Sequence, residues 1–135
     1  MKRLILASNQ LPVHINWQNG KYKIEKAEET TISGLQNFYS DFEPEWVGLT
    51  GFENHEFSVK EVRSLEAALK PFHCVPIFPR PRDGNLHLHG FARNTLWPLF
   101  HYFTENVTYS EVSWKAYVKI NRLYAEKILE IIQDG

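Results

Sequence analysis

The sequence predicts an α/β fold: an open parallel sheet flanked by helices, with a β-hairpin inserted near its start. Three observations lead there. Short apolar runs, RLILA, EWVGL and CVPIF, are each followed by a polar or glycine-containing stretch, the pattern of strands buried in a parallel sheet. Between the first two, VHINW and KYKIE alternate residue by residue around Asn19-Gly20, a pair suited to the positive φ of a tight hairpin turn. At the far end, apolar residues recur every three or four positions from Glu111 to Gln133, as one face of a long helix requires.

Taken in order, Arg3 to Ala7 is the first strand, ending at Ser8-Asn9 where an open α/β sheet binds ligands. Val13 to Trp17 and Lys21 to Glu25 form the hairpin, placed as a flap at that edge. Thr31-Ile32-Ser33-Gly34-Leu35 opens a helix to about Tyr39 or Phe42, with Ser33 as its N-cap. Glu45 to Leu49 is the second strand, and Val62, Leu65 and Leu69 mark a helix from about Val59 that Pro71 ends. Cys74 to Phe78 is the third strand, Pro76 signalling an edge or an irregularity. PRPRDGN reads as a loop, and Asn94 as the cap of a helix through Trp97, Pro98, Leu99, Phe100 and Tyr102. In the last helix, Trp114, Tyr117, Val118, Asn121, Tyr124, Ala125, Ile128, Ile131 and Ile132 are expected to turn inward.

Composition narrows the function. A formal charge of -1 gives no electrostatic footprint for nucleic acid or an anionic membrane, though local patches around Lys2, Arg3 or Arg80, Arg82 remain open. No apolar run is long enough to span a membrane, and the start is not a signal peptide, so a cytoplasmic location is expected; the single Cys74 agrees. GxGxxG, GxxxxGKS/T, CxxC and HExxH are all absent, which leaves no motif-borne cofactor.

The chemistry-bearing positions each admit two readings. Ser33-Gly34, with Asn9 and Gln10, either caps a helix or offers converging amides to a phosphate. Trp97, beside Pro98, His101 and Tyr102, either packs in a core or stacks on a sugar face. His87 and His89 would share one side of a strand, but with His73, Cys74 and His101 they make no convincing zinc set, so no metal is expected.

LILASNQLPV, SGL, EWVGLTG, CVPIF, GFARNTLWPLFHYF and WKAYVKINRLYAEKI, in this order, resemble the amino-terminal domain of the trehalose-6-phosphate synthase family. The resemblance covers essentially the whole chain. It implies a Rossmann-like open sheet, the amino-terminal lobe of a GT-B retaining glycosyltransferase. It further implies transfer of glucose from UDP-glucose, a co-substrate, to glucose 6-phosphate, giving trehalose 6-phosphate. By matching motifs, Asn9, Gln10, Gly34 and Trp97 are the implied substrate-binding residues, Gly34 approaching the donor phosphates and Trp97 the acceptor glucose. Ser8, Ser33, Trp46, Gly48, His87 and Leu88 are implied to line the pocket.

Departures accompany the matches. The family carries Arg where this chain has Gln10, and an amide lacks the charged bidentate fork of a guanidinium. Leu49 stands for a customary Trp, and His87-Leu88-His89 for a stretch with an acceptor-contacting tyrosine. The family's second lobe carries the basic groups that hold the donor diphosphate. Residues 1–135 are therefore expected to be an incomplete acceptor-binding lobe that needs the carboxyl-terminal nucleotide-binding lobe as partner and is inactive alone. The alternative is a non-catalytic sugar-phosphate-binding or regulatory domain of a trehalose-synthesis protein.

Overall fold

The computed structural model describes residues 2–27, 41–52 and 54–135. The chain divides into two compact units, Met1–Phe52 with Phe57–Phe78, and Glu53–Glu56 with Pro79–Gly135. The expected helix after the hairpin, with Ser33 and Gly34, lies outside the described residues.

In the first unit, strands β1 (Lys2–Gln10), β4 (Phe42–Leu49) and β5 (Cys74–Ile77) form a parallel sheet in the order β1-β4-β5, and β2 (Val13–Gln18) pairs antiparallel with β3 (Lys21–Lys26). Asn19 and Gly20 both take positive φ, 52° and 75°, so the hairpin turns where its turn residues said it would. Pro76 sits on the edge strand β5, where its missing N–H costs no ladder bond on the open side. Central β4 is the most deeply covered, with Trp46, Val47 and Leu49 all buried. Helix α1 (Val59–Leu69) is set by a capping box: the Ser58 hydroxyl accepts from the Glu61 amide (3.2 Å), and the Glu61 carboxylate accepts from the Ser58 amide (2.7 Å). Its Leu65 and Leu69, both 0% exposed, join Leu11, Trp46 and Cys74 in the core.

Ser8 and Asn9 belong to β1 rather than to a loop after it. The register slips between Ala7 (opposite Val47) and Gln10 (opposite Leu49), so β1 carries an extra residue in a bulge. The Ser8 hydroxyl donates to the Gln10 carbonyl across it (2.5 Å), and the Leu11 amide donates to the Leu49 carbonyl (3.1 Å). Gly48 makes the closure feasible. A Cβ there would lie 3.0 Å from the Leu11 nitrogen, 3.0 Å from the Ser8 oxygen and 3.1 Å from the Gln10 carbonyl carbon, all backbone atoms.

The second unit differs more from the sequence reading. Pro81–Asn85 is helical (α2), not a loop, and runs on through a π-helix (Leu86–Leu96) into α3 (Trp97–Phe100), the junction residues Leu86 and Trp97 keeping helical angles. Pro81 explains the start, since it follows extended Arg80 and needs no donor in the first turn. His87, Leu88 and His89 are thus helical, not strand residues, and Asn94 lies inside the run rather than capping it. Asn94 instead offers its carbonyl to the Thr108 amide (2.9 Å), while the Thr95 hydroxyl donates to the Thr108 carbonyl, which clips Thr108 to the helix.

Helix α4 (Glu111–Gln133) is as expected in extent, but its buried stripe is Ser113, Ala116, Ile120 and Ile131. Trp114 and Ile132, expected inward, are 42% and 57% exposed; Asn121 and Ala125 are exposed too. The cause is close helix contact. A Cβ on Gly90 would lie 3.1 Å from the Ser113 Cβ and clash with its hydroxyl oxygen, so small residues fill the seam and aromatics flank it. Phe91 packs on Tyr117 and Trp114 (ring centroids 4.6 and 5.2 Å), and buried His87 stacks on Tyr117 at 5.4 Å.

Two outcomes follow from this packing. Gly48→Ala should destabilise the fold by about 1–3 kcal/mol in urea denaturation, because the extra methyl presses on backbone that must shift. Burial pushes the His87 imidazole below its ordinary value. Unfolded chain therefore binds the proton first, and stability should fall as pH drops below about 6.5, levelling off beneath the depressed folded value. Denaturation midpoints of wild type and His87→Phe between pH 7.5 and 5 should show a shallower acid slope in the variant.

Candidate functional site

At the carboxyl ends of β1 and β4, beneath the hairpin, lies a cavity of about 210 Å³. Gln10 and Leu11 form one wall, Leu49, Thr50, Gly51 and Phe52 the second, and Val13, His14, Ile15 and Asn16 of β2 the third. Each wall has a local cause. The bulge in β1 swings Gln10 and Leu11 towards β4, and the positive φ of Gly51 (88°) turns the chain after β4, with the Phe52 amide donating to the Thr50 hydroxyl (3.3 Å). β2 contributes residues of both its faces, Val13 and Ile15 from one and His14 and Asn16 from the other.

Aromatic contacts fix the hairpin's position. Trp17, Tyr22, Phe52, Phe57 and Phe78 follow one another edge to face, at centroid distances of 4.6, 6.5, 5.9 and 5.0 Å. Val13, Ile15, Tyr22 and Ile24 pack against the core, and burial pushes the Tyr22 phenol up, the charge of Glu61 adding to the effect. The opposite face carries His14 and Asn16 across from Glu25 and Lys23, the last two joined at 2.9 Å.

Of the residues singled out from sequence, Gln10 lines the cavity and Gly48 sits behind it as the point of backbone contact. Ser8 is engaged in the bulge, Asn9 is exposed within it, and Trp46 is buried in the core. Trp97, His87 and Leu88 belong to the second unit. There Trp97 is 54% exposed, stacked on His101 at 4.2 Å and nearly parallel to Phe103 at 6.1 Å, with His101 Nδ1 donating to the Trp97 carbonyl (2.8 Å). His87 is a core residue, and His89 Nδ1 accepts from Arg93 at 3.2 Å.

Cys74 is buried, its thiol pushed up to about 11 by desolvation and donating to the Phe72 carbonyl (3.4 Å), so it is an inert packing group. Among the described residues no three His, Cys, Asp or Glu cluster as a metal site, and no helix is long and apolar enough to cross a membrane. Sequence reasoning missed His14, Asn16 and Thr50 as cavity residues. The available signal was the polar phase of the hairpin's alternation, together with Thr50-Gly51 at a strand's carboxyl end.

Comparison with known proteins follows the same lines. The sequence model of glycosyltransferase family 20 matches residues 2–135. A UDP-forming alpha,alpha-trehalose-phosphate synthase of Emericella nidulans is 35% identical over 135 residues, 98% of this chain and 26% of that protein. One from Dictyostelium discoideum is 35% identical over 134 residues, 98% and 18%, and one from Yarrowia lipolytica 33% over 137 residues, 100% and 29%. The chain thus spans 18–29% of the length of these relatives. With a match along nearly its whole length, the chain belongs to glycosyltransferase family 20.

Proposed function

We propose that this chain is the acceptor-facing part of a retaining, GT-B type glycosyltransferase that transfers glucose from UDP-glucose to glucose 6-phosphate, forming trehalose 6-phosphate and UDP. The observation that carries the reading is the family match over residues 2–135, and the similar proteins are UDP-forming trehalose-phosphate synthases, which accords with a UDP-sugar donor and a phosphorylated sugar acceptor. The cavity at the carboxyl end of β1 and β4 is where an open α/β sheet takes its ligand, which supports the same reading.

In this reading Gln10, His14, Asn16 and Thr50 orient a sugar phosphate by hydrogen bonds, and the apolar Leu11, Ile15 and Phe52 exclude water behind it. Asn9 shapes the cavity rim and Gly34 approaches the donor phosphates, while the exposed indole of Trp97, in the second unit, offers a face on which a sugar ring can stack. The hairpin acts as a flap over the bound acceptor. Ser8, Trp46 and Gly48 support the β1 and β4 walls. The reaction needs the leaving diphosphate neutralised and the acceptor hydroxyl set against the donor sugar. The cavity's described lining holds no lysine, arginine or carboxylate, so in this reading that neutralisation falls to a nucleotide-binding lobe. A cytoplasmic location belongs to the same proposal.

The same uncharged lining favours one second reading, a non-catalytic sugar-binding or regulatory module. Incubating the full-length protein that carries this chain with UDP-glucose and glucose 6-phosphate separates the two. The expected result is equimolar UDP and a phosphorylated disaccharide; binding without UDP release would replace the enzyme reading with the module. These 135 residues alone are expected to release no UDP above background. Gln10→Arg should tighten glucose 6-phosphate binding by about 1 kcal/mol, measured calorimetrically, because a charged hydrogen bond replaces a neutral one.

A further inference from the structure

The cavity under the hairpin has four polar side chains, Gln10, His14, Asn16 and Thr50, and only His14 can carry a charge. Two are amides and one a hydroxyl, groups that bind a sugar hydroxyl and a phosphate oxygen with similar strength. Left to those three, the cavity would separate a sugar phosphate from the free sugar poorly. An imidazole changes that, since its protonated ring carries a charge and donates from both nitrogens.

His14 is placed for the task by the hairpin. It lies on the polar face of β2, opposite Glu25 of β3, while the alternate residues Val13 and Ile15 hold the strand to the core. The charged groups facing it across the hairpin are Glu25 and Lys23, which pair with each other at 2.9 Å. Glu25 is held below the usual carboxylate range first by its hydrogen bond and charge interaction with Lys23, with His14 adding to the effect, so His14 faces a carboxylate that is itself paired with Lys23. The β1 and β4 walls bring none.

We infer that His14 is the residue by which this cavity discriminates a phosphorylated from an unphosphorylated sugar, the imidazolium donating to the phosphate. The inference rests on the acceptor-pocket reading above and names the group that sets the preference within it.

The experiment is calorimetric titration of the full-length protein with glucose 6-phosphate and with glucose, at pH 5.5 and pH 8, for wild type, His14→Gln and His14→Lys. Because the sugar phosphate itself titrates near pH 6, the readout is the ratio of wild-type to His14→Gln affinity at each pH. For glucose 6-phosphate the ratio should be roughly tenfold at pH 5.5 and approach one at pH 8, while for glucose it stays near one at both. His14→Lys should retain phosphate preference at pH 8. An equal loss for glucose and glucose 6-phosphate would make His14 a structural residue and overturn the inference, as would a ratio near one for glucose 6-phosphate at pH 5.5. UDP formation that survives alongside either result leaves the proposed function standing; absence of glucose 6-phosphate binding at both pH values removes both.

Discussion

The meeting of two strand ends at Gly48 organises the described part of the binding edge. A parallel pair normally diverges after its last ladder bond, yet here the bulge at Ser8-Asn9 brings the backbone of β1 onto that of β4, and the Leu11 amide donates to the Leu49 carbonyl. With hydrogen in place of a methyl at Gly48, the two backbones approach to a distance any other residue would hold open. From that contact come the direction of Gln10, the burial of Leu11 and the point at which the chain departs into the hairpin. The cavity follows from the same contact. Its first two walls are the segments immediately beyond the closure, and its third is the strand that the closure launches.

The hairpin would be a poor wall if it were free to swing. A two-stranded ribbon is marginally stable in isolation, and this one is held through its side chains. Edge-to-face ring pairs contribute about 0.5–1.5 kcal/mol each beyond burial, and the run from Trp17 to Phe78 ties β2 and β3 to the segments after β4 and β5. Anchorage on one face leaves the other face polar and exposed. A strand edge presented in this way combines backbone groups with alternating side chains, an arrangement suited to the many hydroxyls of a sugar.

Much of the first unit was legible because its elements obey simple periods and turn chemistry. Asn19-Gly20 demanded a turn, and Val62, Leu65 and Leu69 demanded a helix face. The second unit was harder for specific reasons. PRPRDGN holds the residues that usually break helices, but Pro81 occupies the helical position where proline is at home, and Gly84 sits buried inside α2, which runs on into the π-helix. On α4, periodicity found the helix and misplaced its face, because large aromatics were read as core while the tight seam at Gly90 is filled by the small Ser113. Hydrophobicity reports which residues prefer burial; it does not report how closely two helices approach. For the candidate site, Gln10 was visible from its place at a strand end, whereas His14 and Asn16 become neighbours of Gln10 only through the bulge, a register shift with no mark of its own in the sequence.

Under the proposed acceptor-facing reading, the character of the cavity bears on how it would contribute to transfer chemistry. A group meant to neutralise a leaving diphosphate must be strongly and permanently charged, and a desolvated charge of that kind is costly to maintain in a lobe that also exists without its ligand. Amides, a hydroxyl and one imidazole carry no such cost. They can stay solvated in the open cavity and exchange water for sugar hydroxyls at little net change in hydrogen bonding. A lobe of this composition gains most by fixing orientation, and orientation is the part of catalysis that depends on rigid backbone rather than on charge. The bulge closed on Gly48 and the ring-anchored hairpin supply that rigidity, and under the same reading a lining without lysine, arginine or carboxylate fits a division of labour in which permanent charge comes from elsewhere.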